Sequence, residues 1–204
     1  MTITPYASLV LLKSSIGMAS TDTTRDDLLN MALNGASRSV EKYCDGRMPG
    51  AFYLDMSATA RMFDIREAVR RDPYWGEWIH VDDIGSTSGL IVEVSSDNTT
   101  WSTLTDCETG PDNALARSRP IDTLFSPTWQ FSYRRLARVT AKWGWPAVPD
   151  EIVQATLLQA SRLYRRKDSP EGVAGSADWG LVRVPNLDPD VKALLADFKS
   201  LMVA

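Results

Sequence analysis

The chain has 204 residues, a formal charge of −4 from 22 basic and 26 acidic side chains, and 44% hydrophobic against 24% charged residues. That balance belongs to a globular protein long enough to build a core without disulfides, and lies far from the disordered and membrane-spanning regimes. Two cysteines, a single histidine, no Gly-Lys dipeptide and no G-x-G-x-x-G exclude a four-ligand zinc site and the phosphate-loop and dinucleotide motifs. Any nucleophile–histidine machine would have to be built on His80 alone. The acidic balance also argues against gripping nucleic acid through a globally basic surface.

Along the chain, Thr4-Pro5 predicts a capped helix with proline at its first position, running to about Ser14–Gly17. Its apolar run Leu9–Leu12 has no basic residue before it and is too short for a bilayer, so neither a signal peptide nor an anchor is expected. A reducing, cytoplasmic setting follows, in which Cys44 and Cys107 are free thiols and Asn98-Thr99-Thr100 is a sequon without a secretory route. A second helix is predicted with Asp22 as cap, Asp26 and Asp27 in its first turn, and a stripe of Leu29, Leu33, Ala36, Val40 and Tyr43 that ends at Gly46.

From about Arg47 to Pro146 the character changes: six of the seven tryptophans and most turn signals fall there. Short alternating runs predict strands over Phe52–Met56, Ala60–Ile65, Trp78–Asp82, Leu90–Ser95, Trp101–Leu104, Trp129–Tyr133 and Arg138–Trp143. A third helix opens at Val148-Pro149-Asp150-Glu151, carries Ile152, Val153, Ala155, Leu158, Ala160 and Leu163, and closes on Arg162, Arg165, Arg166 and Lys167. The Gly-, Ser- and Ala-rich segment that follows, 168–187, reads as a mobile loop. The last helix starts at Asp188-Pro189 with Val191, Leu194, Leu195, Phe198 and Leu201 on one face, ready to dock on its own bundle or on another chain.

The fold class is therefore α+β. Segments 1–46 and 147–204 come together as one discontinuous helical bundle, and 47–146 is a β-rich insertion, antiparallel and sandwich- or barrel-like.

Each chemical motif competes with a plainer reading. His80 and Asp82 share a strand face and Asp83 is adjacent, a set that would suit a metal, yet a polar strand end entering the Gly85-Ser86 turn explains the same residues. Gly85-Ser86-Thr87-Ser88-Gly89 has threonine where a nucleophile elbow needs serine, and reads as a turn. The basic cluster Arg162, Arg165, Arg166 and Lys167 either compensates a helix dipole or meets a partner. The tryptophans either stack sugars, the basis of a carbohydrate- or surface-binding alternative, or pack a core and a subunit interface. Trp143-Gly144-Trp145-Pro146, with Pro149 beyond it, is a sharper feature: a strand ending on aromatics, a bend that glycine permits, and prolines leading into a helix.

Taken together, Ala36-Ser37-Arg38 with Val40-Glu41-Lys42-Tyr43, the run from Val139 through Trp143-Gly144-Trp145-Pro146 to Pro149, and Gln154-Ala155 through Arg166-Lys167-Asp168-Ser169-Pro170-Glu171-Gly172-Val173 resemble bacteriophage head-to-tail connector proteins, also called head-completion or adaptor proteins. The resemblance covers both helical ends and rests on their order and on the junction; no catalytic signature is part of it. It implies a non-enzymatic virion protein without cofactor or metal, assembled in the bacterial cytoplasm into a ring, dodecameric by resemblance. That ring would lie below the portal protein, complete the DNA-filled head and carry the next neck or tail protein, a stopper or tail terminator, while DNA passes non-specifically through its centre. A cyclic ring needs two different complementary patches on each subunit. The basic end of the third helix and the acidic helix starts at Asp22, Asp26, Asp27, Asp150 and Glu151 supply opposed charge for them. Val173 and Trp179 in the loop, and Leu194 and Phe198 on the last helix, are the apolar candidates for contact with a partner or a neighbouring subunit.

Overall fold

The computed structural model describes residues 4–44, 48–65, 69–72, 76–126, 136–166, 173–174, 182–183 and 187–199. The chain divides into two compact units, one of Met1–Gly50 with Val148–Ala204 and one of Ala51–Ala147. Each has its own hydrophobic core.

The helical unit contains α1 (Leu9–Ser15), α2 (Asp26–Tyr43), α3 (Asp150–Arg165) and α4 (Pro189–Leu194), the last followed by a 3-10 turn, Ala196–Phe198. Helix α1 starts at Leu9, not at Pro5, because Ser8 caps it with a hydroxyl that accepts from the Leu11 amide at 3.2 Å. The residues before it are held by tertiary bonds instead. Tyr6 and Ala7 are buried, the Tyr6 amide donates to Ser37 Oγ at 3.2 Å, and the Tyr6 hydroxyl donates to Glu41. Asp22 does not cap α2 either. Its carboxylate accepts from the Thr24 hydroxyl (2.6 Å) and amide (3.0 Å), an Asx turn upstream of the helix, and these bonds hold it below the ordinary carboxylate range.

Within α2, the predicted residues Leu29, Leu33, Ala36 and Val40 are buried. In α3, Ile152, Ala155 and Ala160 are buried with Thr156 and Gln159, but Leu158 is exposed. At about 100° per residue only one of the adjacent Leu157 and Leu158 can face the core, and Leu157 takes that side. Asp188 caps α4 through the Asp190 amide at 3.0 Å, with Pro189 in the first turn as the sequence predicts. The helix stops at Leu194, well before Leu201, because the chain tightens into the 3-10 turn. Val191, Leu195 and Phe198 are buried, so this stripe docks on its own unit. Within 168–187, Val173–Ala174 (β8) pairs antiparallel with Val182–Arg183 (β9), so part of the segment read as loop is strand.

The β unit is one antiparallel sheet of β1 (Thr59–Asp64), β2 (Val69–Asp72), β3 (Gly76–Ser95), β4 (Ser102–Leu104), β5 (Glu108–Gly110), β6 (Ile121–Phe125) and β7 (Leu136–Trp143). Strands run in the order β1-β7-β3-β6-β5, with β2 and β4 also paired to β3. Two predicted strands and the turn between them are in fact the single 20-residue β3. Gly85–Gly89 lies inside it as a bulged stretch: between two pairs with β7, β3 advances five positions, Ser86 to Ile91, while β7 advances two, Lys142 to Thr140. Gly85 is there for close approach. A Cβ would come within 2.6 Å of Leu54 Cδ1 and 2.8 Å of the Gly144 carbonyl oxygen.

The bulges let the first half of β3 serve β2 and β6 and the second half serve β4 and β7. Strand β7 alternates strictly, with Ala137, Val139, Ala141 and Trp143 inside, packed with Ile79, Ile84, Val92, Val94, Ile121 and Leu124. Phe52–Met56 is not strand, although Phe52 is fully buried. Strands β2, β5 and β6 carry no alternation the sequence reveals, and the strand expected over Trp129–Tyr133 lies outside the described residues.

Candidate functional site

The Trp-Gly-Trp segment is where the β unit is knotted. Trp143 ends β7 with 1% exposure; its indole N–H donates to the Thr59 carbonyl at 2.8 Å, Phe63 lies 6.0 Å away between ring centroids, and the Arg61 guanidinium sits 4.4 Å over the ring. The Trp143 carbonyl accepts from the Asp55 amide and the Gly144 amide donates to the Asp83 carbonyl, both at 2.8 Å. Gly144 has φ +104°, and a Cβ there would overlap the Tyr53 carbonyl. Trp145 is buried against Phe52 at 5.5 Å, and its indole N–H donates to Asp83 Oδ2 at 3.0 Å. Pro146 is half-buried, and Pro149 stands extended just ahead of α3.

These bonds also dispose of the carboxylates near His80. Asp82 is taken by Arg61 at 2.7 Å and Asp83 by the Trp145 indole, while His80 is exposed on β3 opposite Thr123. Among the described residues no three His, Cys, Asp or Glu side chains gather as a metal site, and no helix is long and apolar enough to cross a membrane. Both cysteines are free thiols; burial, with the Asp106 charge beside it, pushes the Cys107 thiol up to about 11, which leaves it a poor nucleophile at neutral pH. The described tryptophans are buried or half-buried. Trp78 stacks on Phe125 at 4.8 Å and Trp101 is covered by the Arg138 guanidinium at 4.3 Å, so they offer no free sugar platform.

The basic end of α3 is divided among three environments. Arg162 Nη1 reaches Asp188 Oδ2 at 3.3 Å and ties α3 to the start of α4. Arg165 is exposed on the rim of a surface depression of about 340 Å³ lined also by Ile16, Met18, Asp22, Arg25 and Tyr164, where Arg25 donates to the Tyr164 hydroxyl at 3.1 Å. Arg166 closes the helix, half-buried. Leu194 is half-buried and Phe198 is already packed inside its own unit. Lys167 and Trp179 lie outside the described residues, and Val173 is described only as a backbone position in β8.

Two features have no sequence signal that singles them out, and a third has helical periodicity alone. Glu41 is buried at the meeting point of the Tyr6 hydroxyl, the Gly50 amide (2.7 Å) and Arg38 (2.9 Å). On the outer face of the sheet, Arg138 makes two bonds to Glu93, at 2.7 and 2.8 Å, which hold the Glu93 carboxyl below its usual range and raise the guanidinium above its own. Apolar Val10, Leu11, Leu28 and Met31 stand exposed on α1 and α2. Helical periodicity points to the last of these in hindsight, because all four fall off the buried stripes.

No protein-family model and no curated protein sequence matches the chain. Solved structures do. The fold is similar over 100% of this chain and 95% of the other to a chain in the virion of a native gene transfer agent particle, at 17% identity and a TM-score of 0.53. It is similar over the same shares to a chain in the neck of an empty gene transfer agent particle computed with C6 symmetry, at 16% identity and a TM-score of 0.50. The likeness is therefore one of fold, extending through both units.

Proposed function

We propose that this chain is a structural protein of a phage-like virion, a neck component that forms a ring below the portal, completes the DNA-filled head and carries the next neck or tail protein. The observation that carries the reading is the end-to-end likeness to chains of gene transfer agent virion and neck particles. Helices and β unit are matched together, with 95% of the other chain covered, which a shared bundle motif alone would not produce. The helix order and the Trp-Gly-Trp-Pro junction resemble head-to-tail connectors independently of that comparison. A ring of twelve copies is compatible with a six-fold neck axis.

In this reading the chemistry is that of docking, not of catalysis. The net charge of −4 gives each copy no overall attraction for DNA, which suits non-specific passage. Arg165, Arg166 and Leu194, with Lys167, Val173 and Trp179, are the contact candidates for a partner or neighbour, Arg162 and Phe198 being engaged within their own unit; Trp143, Gly144, Trp145 and Pro146, followed by Pro149, are structural and close the end of β7. Because Val191 and Leu195 are fully buried, removing α4 would open the helical unit, so the test keeps the whole chain. Negative-stain microscopy of the purified protein, alone and mixed with its portal, is expected to show rings of uniform diameter that cap the portal. Particles without rings in both samples would sink the reading.

A further inference from the structure

We propose that two copies of this chain pair through α3, running antiparallel about a two-fold axis at Leu158. Glu151, Leu158 and Arg165 are all exposed and follow one another at seven-residue spacing, which returns to the same side of a helix within about 20°. Leu158, 43% exposed, stands at the centre, with an acid one heptad before it and a base one heptad after it, each about 10.5 Å away along the axis. Among the described residues neither Glu151 nor Arg165 has an ion partner, whereas Lys13, Arg38 and Arg162 of the same unit are paired with Asp26, Glu41 and Asp188.

The occupant follows from that pattern. Turned end for end, the stripe sets Arg165 of the second copy against Glu151 of the first, and Glu151 of the second against Arg165 of the first, while Leu158 meets its own copy. Self-complementarity of this kind is what an isologous contact requires, and antiparallel alignment also opposes the two helix dipoles. A partner of different sequence would have no need of a stripe symmetric about its centre.

Helix α1 widens the apolar part of the surface. Ser15 Oγ lies 3.4 Å from Ser161 Oγ, and beyond that contact Ile16 and Met18 share the depression with Tyr164 and Arg165, so α1 and α3 advance in the same sense. One turn back from the two serines stand Leu11 and Leu158. Leu11 at 49% and the adjacent Val10 at 62% exposure thus extend the patch at Leu158.

A two-fold contact cannot continue round a closed ring. On the neck reading, on which this consequence alone rests, the pair is the form of the free chain, and it covers Arg165 until assembly.

The test uses the full chain. Light scattering after size exclusion, over a range of concentrations, is expected to show a monomer–dimer equilibrium. Glu151→Arg and Arg165→Glu should each weaken dimerisation at least tenfold, since each reversal breaks two symmetric pairs, and the double variant Glu151→Arg/Arg165→Glu should regain it. Leu158→Cys should give a covalent dimer on mild oxidation, above the background of Cys44 and Cys107, because a two-fold axis at Leu158 brings that position to itself, while the charge reversals distinguish this antiparallel pair from a parallel one that would set like charges together. A wild-type chain that stays monomeric, a double variant that does not recover, or a Leu158→Cys chain that does not cross-link overturns the pairing. Rings on the portal without a free dimer would overturn it while leaving the neck reading intact; a free dimer whose chain never forms rings supports it and sinks the neck reading instead.

Discussion

In the helical unit, Lys13 and Glu41 keep only 3% of their side chains exposed and are satisfied by partners from separate segments. In the β unit, the pairs Arg138–Glu93 and Arg61–Asp82 stay on the water side, and among the described residues the buried polar side-chain groups are neutral: the hydroxyls of Ser95 and Ser126 and the indole N–H groups bonded to Thr59 and Asp83. The difference teaches where each unit is vulnerable. A buried ion that loses its partner has no water to turn to, so the helical unit depends on a few polar contacts. The β unit depends on shape, because strand register and the fit at Gly85 and Gly144 admit no added atom.

The largest effect is expected at Gly144→Ala, which must relieve an overlap with the Tyr53 carbonyl while holding alanine at φ +104°. A cost of about 4 kcal/mol or more in denaturant unfolding is predicted; retention of the wild-type midpoint would show that the knot is not rigid. Next comes Glu41→Ala, which strands the Tyr6 hydroxyl, the Gly50 amide and Arg38 together, at about 3–5 kcal/mol. Arg138→Ala on the open sheet face should move the midpoint far less, and equal shifts for the two would erase the contrast between the units. Trp145→Ala is predicted to cost about 3 kcal/mol by emptying the space against Phe52 and leaving Asp83 without its indole donor.

Acid sharpens the comparison further. The amides of Thr100 and Thr99, with the hydroxyls of Thr100 and Ser95, hold the Asp97 carboxyl far below its usual range, and Arg138 holds Glu93 down. Carboxylates depressed in the folded state contribute stability that is fully present above their unfolded values, 3.8 and 4.5, and is lost as the pH falls below them. Unfolding midpoints measured from pH 6 down to pH 2 should therefore fall, and Asp97→Asn should flatten that fall. A slope unchanged by the substitution would remove Asp97 as its source. The smallest effect is expected at His80→Ala, within about 0.5 kcal/mol and, on the neck reading, without effect on ring assembly, since the imidazole is exposed and its carboxylate neighbours are engaged elsewhere. Lost assembly with a normal melting curve would reopen a role for it.

Legibility followed the range of the determining contacts. The α2 stripe, the Asp188-Pro189 start of α4 and the alternation of β7 are local patterns, and each is visible in the sequence because it repeats a period or places a cap. Helix α1 was readable only in its body, since Thr4-Pro5 and Ser8 both offer a start by local rules and the burial of Tyr6 against α2 favours the Ser8 cap. Strand β6 is short, irregular in burial, and strand only because the first half of β3 is beside it. Of the candidate site, the Trp-Gly-Trp bend was readable from residue type, whereas the division of Arg162 from Arg165 was not, because it depends on where Asp188 returns.

By itself, then, the sequence determined an α+β chain with helical ends around a β-rich middle, and glycine at the bend after Trp143, since periodicity, capping and backbone freedom act over a few residues. Only the tertiary structure decided that Gly85–Gly89 is a bulge inside one 20-residue strand and not a turn between two, because the pairing with β7 offers backbone bonds that a turn would forgo. It also decided that Glu41 is buried and Leu158 exposed. Burial depends on which segments, far apart in sequence, arrive at the same place, and no local pattern records that.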